Sequence, residues 1–275
     1  MNKEKALQII AENKKSYNII AEDFDICRQT AWPEFELLAA YLHKSIKAQK
    51  HESTDAIKIL DVGCGNGRLY QYLWAELLCA ELNSAHRYVG IDQSEELIKI
   101  AKVQCAELNS AHKVEFIVAD VFDLSFKNGE FDVAVGIAFL HHIPGEELRL
   151  KVLKEIYRVL KPGGILFLTN WNLRQWKLIK KYKLRIRDFF FSHDDLDAGD
   201  FWIPFKYNCH SDPVLDTGEE SQRSFFARSG APQDDRVMRY YHHLKKREII
   251  DLCKKAGFMI VEYKKGKNSI LILKK

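Results

Sequence analysis

Short apolar runs alternate with helical stretches from residue 57 onward, and this alternation limits the possible folds of the 275-residue chain more than any other feature. A β–α–β order of this kind predicts a parallel sheet with helices packed on both of its faces. The sequence therefore predicts an α/β protein. The five predicted strands of the alternating region are Ile57–Val62, Tyr88–Asp92, Val114–Ala119, Phe131–Ile137 and Ile165–Thr169.

The two ends of the chain follow different patterns. Apolar residues recur every three or four positions in the first 50 residues, which predicts helices, and Pro33 suits the first turn of one of them. At the other end, a helix over Leu244–Ala256 should stop at Gly257. Two strands, Phe258–Tyr263 and Ser269–Leu273, should then form a hairpin.

A stretch of 70 residues after the fifth strand interrupts the alternation. It is too long for an ordinary connection, so we expect an inserted segment with a role of its own. The predicted organisation has four parts: an N-terminal helical cap at 1–50, a cofactor-binding core at 51–170, an inserted substrate-recognition segment at 171–240, and a C-terminal helix and hairpin at 241–275.

Composition excludes several classes of protein. No apolar run approaches the ~18 residues of a membrane span, and the charged N-terminus MNKEKALQII does not resemble a signal peptide. Six scattered cysteines without a CxxC pair indicate reduced thiols and a cytoplasmic protein. Cys209 and His210 lack a second ligand pair at suitable spacing, so we expect no metal site.

A glycine-rich loop, Asp61-Val62-Gly63-Cys64-Gly65-Asn66-Gly67, follows the first predicted strand and opens a helix. Glycines in such a loop let backbone N–H groups approach a ligand closely, a property that dinucleotide-binding enzymes share. Asp61 indicates which ligand the loop binds, because its carboxylate repels the pyrophosphate of a dinucleotide but attracts the sulfonium or amino group of S-adenosylmethionine. The loop therefore favours S-adenosylmethionine over NAD as the cofactor.

Acidic residues also end the second and third predicted strands. Asp92 is placed to bind both ribose hydroxyls of the cofactor, and Asp120 is placed to bind the adenine amino group. The carboxyl ends of parallel strands meet at one edge of an open sheet. We therefore expect Asp61, Asp92 and Asp120 to surround a single crevice.

These patterns resemble the class I S-adenosylmethionine-dependent methyltransferases over roughly residues 55–170 and 240–275. The glycine loop, Asp92 and Leu160-Lys161-Pro162-Gly163-Gly164 carry the resemblance. It implies a Rossmann-like, seven-stranded, doubly wound sheet with an antiparallel terminal strand. The cofactor-binding residues predicted from these patterns are Tyr17, Arg28, Asp61, Gly63, Cys64, Gly65, Asp92, Gln93, Asp120, Val121 and Ile137.

A narrower resemblance concerns the N-terminal helices and two later elements. It joins the chain to the tRNA wobble-uridine carboxymethyl methyltransferases and implies methyl-ester formation on 5-carboxymethyluridine in tRNA. Eukaryotic members of that family also work with a small zinc-binding activator subunit, which makes such a subunit a candidate partner here. The similar residues are Tyr17-Asn18-Ile19-Ile20-Ala21, Phe24-Asp25, Arg28, Trp32-Pro33, Ile137-Ala138-Phe139-Leu140-His141-His142 and Arg239-Tyr240-Tyr241-His242.

The sequence lacks the catalytic motifs that methylation of a base nitrogen or of uracil C5 requires, which favours a carboxylate as the methyl acceptor. No Asn/Asp-Pro-Pro-aromatic motif follows the fourth strand to hold an exocyclic base nitrogen, and nothing marks Cys209 as an activated nucleophile for uracil C5. A carboxylate acceptor is already anionic near neutral pH and needs no general base. We therefore assign no acid–base pair and expect His141 and His142 to act as positioning groups.

A basic and aromatic segment, Arg174–Arg187, opens the inserted segment with seven Lys and Arg residues in fourteen. Its Lys and Arg side chains could bind RNA phosphates, and its aromatic side chains could stack with bases. The spacing of its apolar residues is also compatible with an amphipathic helix that packs on the core. Residues 151–275 are also basic overall, whereas residues 1–150 are acidic, which favours a polyanionic partner for the second half. The predicted substrate-binding residues are Trp176, Lys180, Lys181, Lys183, Arg239 and Tyr241.

Two other functions are compatible with the sequence. One is a class I methyltransferase that acts on a small-molecule acid or hydroxyl, with the inserted segment as a lid. The other is a non-catalytic subunit that binds S-adenosylmethionine or RNA. The sequence also repeats CAELNSAH at Cys79–His86 and Cys105–His112, for which local duplication is the simplest explanation.

Overall fold

The computed structural model describes most of the chain, including all of the predicted strands. Cys209, His210 and the first copy of the CAELNSAH repeat lie outside the described residues, as does most of the second copy. The residues described are 1–28, 30–49, 57–73, 75, 87–106, 113–193, 195–205 and 237–275.

The described residues form nine strands and eight α-helices, joined by loops and short turns. The strands are β1 (Lys58–Val62), β2 (Arg87–Asp92), β3 (Lys113–Val118), β4 (Phe131–Gly136), β5 (Leu160–Trp171), β6 (Asp200–Pro204), β7 (Met238–His242), β8 (Met259–Lys265) and β9 (Asn268–Lys274). The helices are α1 (Lys3–Ile19), α2 (Ala21–Ile26), α3 (Pro33–Gln49), α4 (Arg68–Leu73), α5 (Glu95–Cys105), α6 (Glu146–Val159), α7 (Trp176–Tyr182) and α8 (Lys246–Lys255).

Seven strands form one sheet in the order β3-β2-β1-β4-β5-β9-β8. Strands β1 to β5 are parallel, and β9 runs antiparallel to both β5 and β8. The predicted α/β fold with an antiparallel terminal strand is therefore confirmed. In this topology the carboxyl ends of β1, β2, β3 and β4 lie at one edge of the sheet, where ligands bind in open α/β folds.

Strand residues alternate between two hydrophobic cores, one on each face of the sheet. Leu166 and Leu168 of β5 pack with helices α6 and α8, whereas Phe167 between them packs with α3, α4 and α5 on the opposite face. This alternation follows from the two-residue period of a strand, and it explains why the predicted strands are almost continuously apolar.

Local sequence signals fix several helix ends. The Ser94 hydroxyl accepts a hydrogen bond from the Leu97 N–H at 3.2 Å and caps α5, which carries Glu95 and Glu96 in its first turn. Pro33 is the first residue of α3, as predicted. Gly257, with φ of 104°, follows α8 and lets the chain turn into β8.

The inserted segment contributes a second, two-stranded sheet that the sequence did not predict. Strands β6 and β7 pair antiparallel, with Phe201 opposite Tyr241 and Ile203 opposite Arg239. Helix α1 holds β7 in place, because the Tyr240 N–H donates to Asn13 Oδ1 at 3.0 Å. Among the helices of the described ranges, none combines the length and apolarity needed to cross a bilayer.

We expect replacement of Leu60 by alanine to lower the free energy of unfolding by about 2–5 kcal/mol. Leu60 lies in β1, an interior strand of the sheet, and is completely buried among apolar side chains, so the shorter residue leaves a cavity. Urea unfolding followed by circular dichroism measures the change. Val103→Ala on α5 is the matched control, because Val103 is 75% exposed and its truncation should change stability by less than about 0.5 kcal/mol.

Candidate active site

The glycine loop turns sharply between β1 and α4. Gly63, Gly65 and Gly67 all have positive φ angles, of 75°, 57° and 78°. A Cβ atom added to Gly63 would lie only 2.8 Å from the Phe139 ring, so both the backbone angle and the space favour glycine. The N–H groups of Gly63 and Cys64 both donate to the Ile91 carbonyl, which fixes the loop against β2.

A cavity of about 460 Å³ lies beside this loop at the carboxyl edge of the sheet. Residues of α1, the loops after β1 to β4, and β7 all contribute to its wall. The structure brings every predicted cofactor-binding residue to that wall: Tyr17, Arg28, Asp61, Gly63, Cys64, Gly65, Asp92, Gln93, Asp120, Val121 and Ile137.

Asp61 is the buried acidic group of this cavity. The Tyr88 hydroxyl donates to its Oδ2 at 2.5 Å, and only 2% of the residue is exposed. Burial raises the pKa of Asp61 to about 7, although the bond from Tyr88 opposes that shift. A cation bound beside this carboxylate would offset the cost of ionising it, and the amino group of S-adenosylmethionine carries the required charge.

Asp92 joins the glycine loop to the end of β2. Its Oδ2 accepts from the Gly65 N–H at 3.1 Å, and its Oδ1 accepts from the Ser94 N–H at 2.9 Å. Burial raises the pKa of Asp92, although these backbone donors oppose the shift. The Gln93 N–H is a third backbone donor to this carboxylate, which keeps acceptor capacity for a ribose hydroxyl. The two carboxylates of the cavity therefore fit S-adenosylmethionine, Asp61 at its amino group and Asp92 at its ribose.

A second group of side chains closes the other end of the cavity. Tyr241 of β7 packs against both His141 and Trp171, with ring centroids 5.2 Å from each, and the His141 and Trp171 centroids are 6.0 Å apart. Tyr17 approaches the edge of His142, and its hydroxyl lies 3.0 Å from His142 Nε2. These five side chains form an aromatic wall that the two histidine positions alone did not predict.

The hydrogen bonds of the two histidines assign their ring protons. His142 Nδ1 lies 2.9 Å from the Tyr240 carbonyl and must carry the proton there, so its Nε2 accepts from Tyr17. His141 Nδ1 accepts from the Trp171 N–H, so the His141 proton is on Nε2. Burial lowers the pKa of both rings, that of His142 to about 3. Both imidazoles are therefore neutral at pH 7.

Several N–H groups of this wall have no partner. His141 Nε2, Trp171 Nε1 and Arg239 Nε are buried, and none of them forms a hydrogen bond within the described part of the chain. All three residues line the cavity. An N–H group can only donate, so this end of the cavity suits a ligand that accepts hydrogen bonds.

Two of the six predicted substrate-binding residues lie in the cavity wall, and the other four lie outside it. Arg239 and Tyr241 line the cavity, whereas Trp176, Lys180 and Lys181 lie on α7 outside it and Lys183 follows that helix. The prediction missed Trp171, Trp32, Asn66 and Arg68 in the cavity wall. Trp171 ends β5, so the strand-end argument applied to Asp61 and Asp92 would have found it.

We expect the affinity for S-adenosylmethionine to rise about 10–20-fold between pH 5.5 and pH 7, because ionised Asp61 attracts the cofactor's amino group and its pKa is about 7. In the ligand-free protein the same raised pKa makes stability fall as pH rises from about 4 to 7. Isothermal titration calorimetry at several pH values measures the affinity.

The control for this pH dependence is Tyr88→Phe, which keeps the ring but removes the hydrogen bond that lowers the pKa of Asp61. The rise in affinity should then occur at higher pH. In Asp61→Asn the rise should be much smaller, because no charge is left to form at this position. An unchanged pH profile in Asp61→Asn would contradict the assignment of this carboxylate.

Comparisons with known proteins agree with this geometry. A family model described as a methyltransferase domain matches residues 59–164, which contain the glycine loop, Asp92 and the two histidines. A solved S-adenosylmethionine-dependent methyltransferase from Methanosarcina mazei is 23% identical, with a TM-score of 0.56 over 83% of this chain and 96% of that one. A methyltransferase of didemethyltoxoflavin from Burkholderia thailandensis has a TM-score of 0.57 at 16% identity, over 96% of this chain and 88% of that one.

Curated relatives are more similar in sequence. The tRNA (carboxymethyluridine(34)-5-O)-methyltransferase of Arabidopsis thaliana is 35% identical over 58% of this chain and 32% of its own length. The Saccharomyces cerevisiae protein of the same name is 32% identical over 58% of this chain and 48% of its own length. The match thus spans less than half of each relative. Residues 59–164 thus match a methyltransferase domain, and over 58% of its length the chain is similar in sequence to the tRNA carboxymethyluridine methyltransferases.

Proposed function

We propose that this chain transfers the methyl group of S-adenosylmethionine to the carboxylate of 5-carboxymethyluridine at the wobble position of a cytoplasmic tRNA. The names of the curated relatives support this acceptor. The observation that carries the proposal is the position of Arg239, a buried cation in the wall of the cavity.

Arg239 is only 3% exposed, and no carboxylate of the described residues lies within ion-pair distance of it. Its guanidinium instead lies over aromatic rings, 5.1 Å from the Phe205 centroid and 5.3 Å from that of Tyr241. A buried charge is costly unless an opposite charge and hydrogen bonds compensate for it. Tyr17 already forms a hydrogen bond with Arg239, so a carboxylate on the acceptor supplies the missing opposite charge, and the planar guanidinium suits its two oxygens.

The neighbouring donors complete a site for a planar, anionic acceptor. His141 Nε2 and Trp171 Nε1 are two further buried N–H groups of the cavity wall for which the described residues supply no acceptor. The stacked Tyr241 and Trp171 rings offer apolar faces against which a base can pack. The neutral histidines hold this arrangement without placing a further positive charge beside Arg239.

Bound S-adenosylmethionine supplies an electrophilic methyl group on a sulfonium, whose sulfur leaves as a neutral thioether when the methyl is transferred. The residues that would hold it are Asp61 at the amino group, Asp92 at the ribose and the glycine loop between them. Arg239, His141 and Trp171 orient the acceptor carboxylate, whose oxygen lone pair forms the new O–CH₃ bond. No proton is lost from the acceptor, so alignment rather than base catalysis lowers the barrier.

The proposed RNA-contacting face lies on α7 and the residue after it. Trp176, Lys180 and Lys183 are exposed there, while Leu178 on the same helix is buried and anchors it. Lys180 Nζ also lies 5.5 Å from the Trp176 ring centroid, and Trp176 is 62% exposed, so a cation and an aromatic surface lie side by side on this face. Lys181 lies over Tyr182 and adds to the positive charge of this face.

The proposal is tested by incubating the purified chain with methyl-labelled S-adenosylmethionine and tRNA that carries 5-carboxymethyluridine. A methyl ester should be released as methanol by mild alkali, whereas a methyl group on nitrogen or carbon should remain on the RNA. The assay is run with and without a small zinc-binding activator, and with a small aromatic acetic acid in place of tRNA. Label transferred only to the small acid would contradict the tRNA acceptor and support the small-molecule alternative.

A further inference from the structure

Two adjacent phenylalanines, Phe190 and Phe191, lie on the surface of the inserted segment. Phe190 is 49% exposed and Phe191 is 69% exposed. We call these two residues the phenylalanine pair. Large exposed aromatic side chains in adjacent positions are unfavourable in water unless another molecule covers them.

The segment that carries the phenylalanine pair is held firmly to the protein. Phe189, the preceding residue, is buried and packs against Phe201 with ring centroids 4.5 Å apart. The N–H groups of both exposed phenylalanines donate to the Arg187 carbonyl, at 2.9 and 3.0 Å. The backbone of the pair is therefore ordered before any ligand binds, which lowers the entropic cost of binding.

A buried carboxylate fixes the same turn from the other side. Asp188 is 4% exposed and accepts hydrogen bonds from Arg185 Nε at 2.8 Å and Arg187 Nε at 3.3 Å. Both arginine side chains are more than half exposed. They thus anchor the turn through one nitrogen each and keep their other N–H groups at the surface.

Cations surround the phenylalanine pair. The Arg174 guanidinium lies 5.2 Å from the Phe190 centroid, and Lys245 Nζ lies 5.8 Å from it. Arg185 and Arg187 add two further positive charges nearby in the chain. A ligand that covers this surface should therefore combine negative charge with flat apolar groups, and a nucleic-acid strand with unpaired bases has both.

The fold places this surface next to the active-site end of the sheet. The segment begins directly after Trp171, which ends β5 in the cavity wall. Lys245 follows β7, the strand that brings Arg239 and Tyr241 to the same cavity. Nucleotides that flank an acceptor base in the cavity can therefore reach the pair.

We infer that the phenylalanine pair stacks with unpaired bases of an RNA loop, with Arg174 and Lys245 at the adjoining phosphates. This inference rests on the proposed function only in its choice of RNA. It adds the surface that contacts the loop, whose bases can stack on protein side chains because they are not paired inside a duplex.

The test is the binding of a fluorescein-labelled anticodon stem-loop RNA, measured by anisotropy with S-adenosylhomocysteine present so that no methyl transfer occurs. Phe191→Ala should weaken binding about 5–100-fold, since stacking on an aromatic side chain contributes about 1–3 kcal/mol per base. Phe191→Tyr should restore affinity to within about twofold. A 2-aminopurine placed in the loop should lose fluorescence when it binds the native protein, as stacking requires.

Two controls separate stacking from other interactions. Ile186→Ala removes an exposed aliphatic side chain of the same turn and should change affinity by less than about twofold, because isoleucine offers no aromatic face. Binding of a blunt duplex with the sequence of the stem should not respond to Phe191→Ala. An equal loss in Ile186→Ala would show that RNA binding does not depend on an aromatic face and would overturn the inference, as would unchanged affinity in Phe191→Ala.

Failure of this inference differs from failure of the proposed function. If the stem-loop binds through the phenylalanine pair but no methyl ester forms, the stacking surface stands and the proposed reaction is wrong. If the ester forms and Phe191→Ala binds RNA as tightly as the native protein, the reaction stands and the stacking surface is wrong.

Discussion

Arg239→Met is expected to lower kcat/KM for tRNA carboxylate methylation by about 10²–10³-fold. Removing one partner of a buried ion pair costs about 3–5 kcal/mol, and each 1.4 kcal/mol corresponds to a factor of ten. Methionine keeps much of the volume of the side chain but cannot pair with the acceptor carboxylate. Initial rates over a range of tRNA concentrations, with cofactor at saturation, measure the effect.

Two controls show whether Arg239 acts on the acceptor or only supports the fold. Arg239→Lys keeps the charge but loses the planar pair of donors, so it should lose less activity, about tenfold. The melting temperature of ligand-free Arg239→Met should be equal to or higher than that of the native protein, because a buried cation without a carboxylate partner costs stability. A large fall in melting temperature would show that Arg239 is structural.

Asp92→Ala is expected to weaken S-adenosylmethionine binding about 10–100-fold. Hydrogen bonds to a charged group contribute about 1.5–3 kcal/mol, and Asp92 is placed for the ribose hydroxyls. Calorimetric titration measures the dissociation constant. Because Asp92 also accepts from the Gly65 and Ser94 N–H groups, the unfolding free energy is measured in parallel.

The matched variant for Asp92 is Asp120→Ala, which removes the strand-end carboxylate after β3. Asp120 is exposed and accepts from the Phe122 N–H at 2.9 Å. A solvated contact to the adenine amino group contributes less, so affinity should fall by less than about tenfold. Equal affinity of the native protein and Asp92→Ala would show that the ribose is bound elsewhere.

Sequence predicted most of the sheet because its signals are local. The glycine loop, the apolar strands and the stop at Gly257 each depend on a few adjacent residues, and the structure has them where they were expected. Most boundaries differ by one or two residues, and the largest difference is at the start of β5. This strand begins at Leu160, which pairs with Phe131, rather than after Gly164, and a register shift between Phe131 and Val133 accommodates the extra residues.

The features that sequence did not predict depend on contacts between distant residues. The pairing of β6 with β7 joins Trp202 to Tyr240 across most of the inserted segment, and no short pattern encodes such a partner. The proton positions of His141 and His142 follow from bonds to the Trp171 N–H and the Tyr240 carbonyl, which are 30 and 98 positions away in the chain. These contacts form the aromatic wall, so Trp171 Nε1 became visible as a further donor for the expected carboxylate only in the structure.

The central claim is that the acceptor is a carboxylate held by Arg239. It is tested most directly by nucleoside mass spectrometry on two tRNA anticodon stem-loops that differ in one group, one with 5-carboxymethyluridine and one with 5-carbamoylmethyluridine. With methyl-labelled S-adenosylmethionine, and with the activator subunit if one is needed, the acid should become its labelled methyl ester and the amide should stay unmodified. Label on the amide, or label on the acid RNA at any nucleoside other than the wobble uridine, would contradict the account.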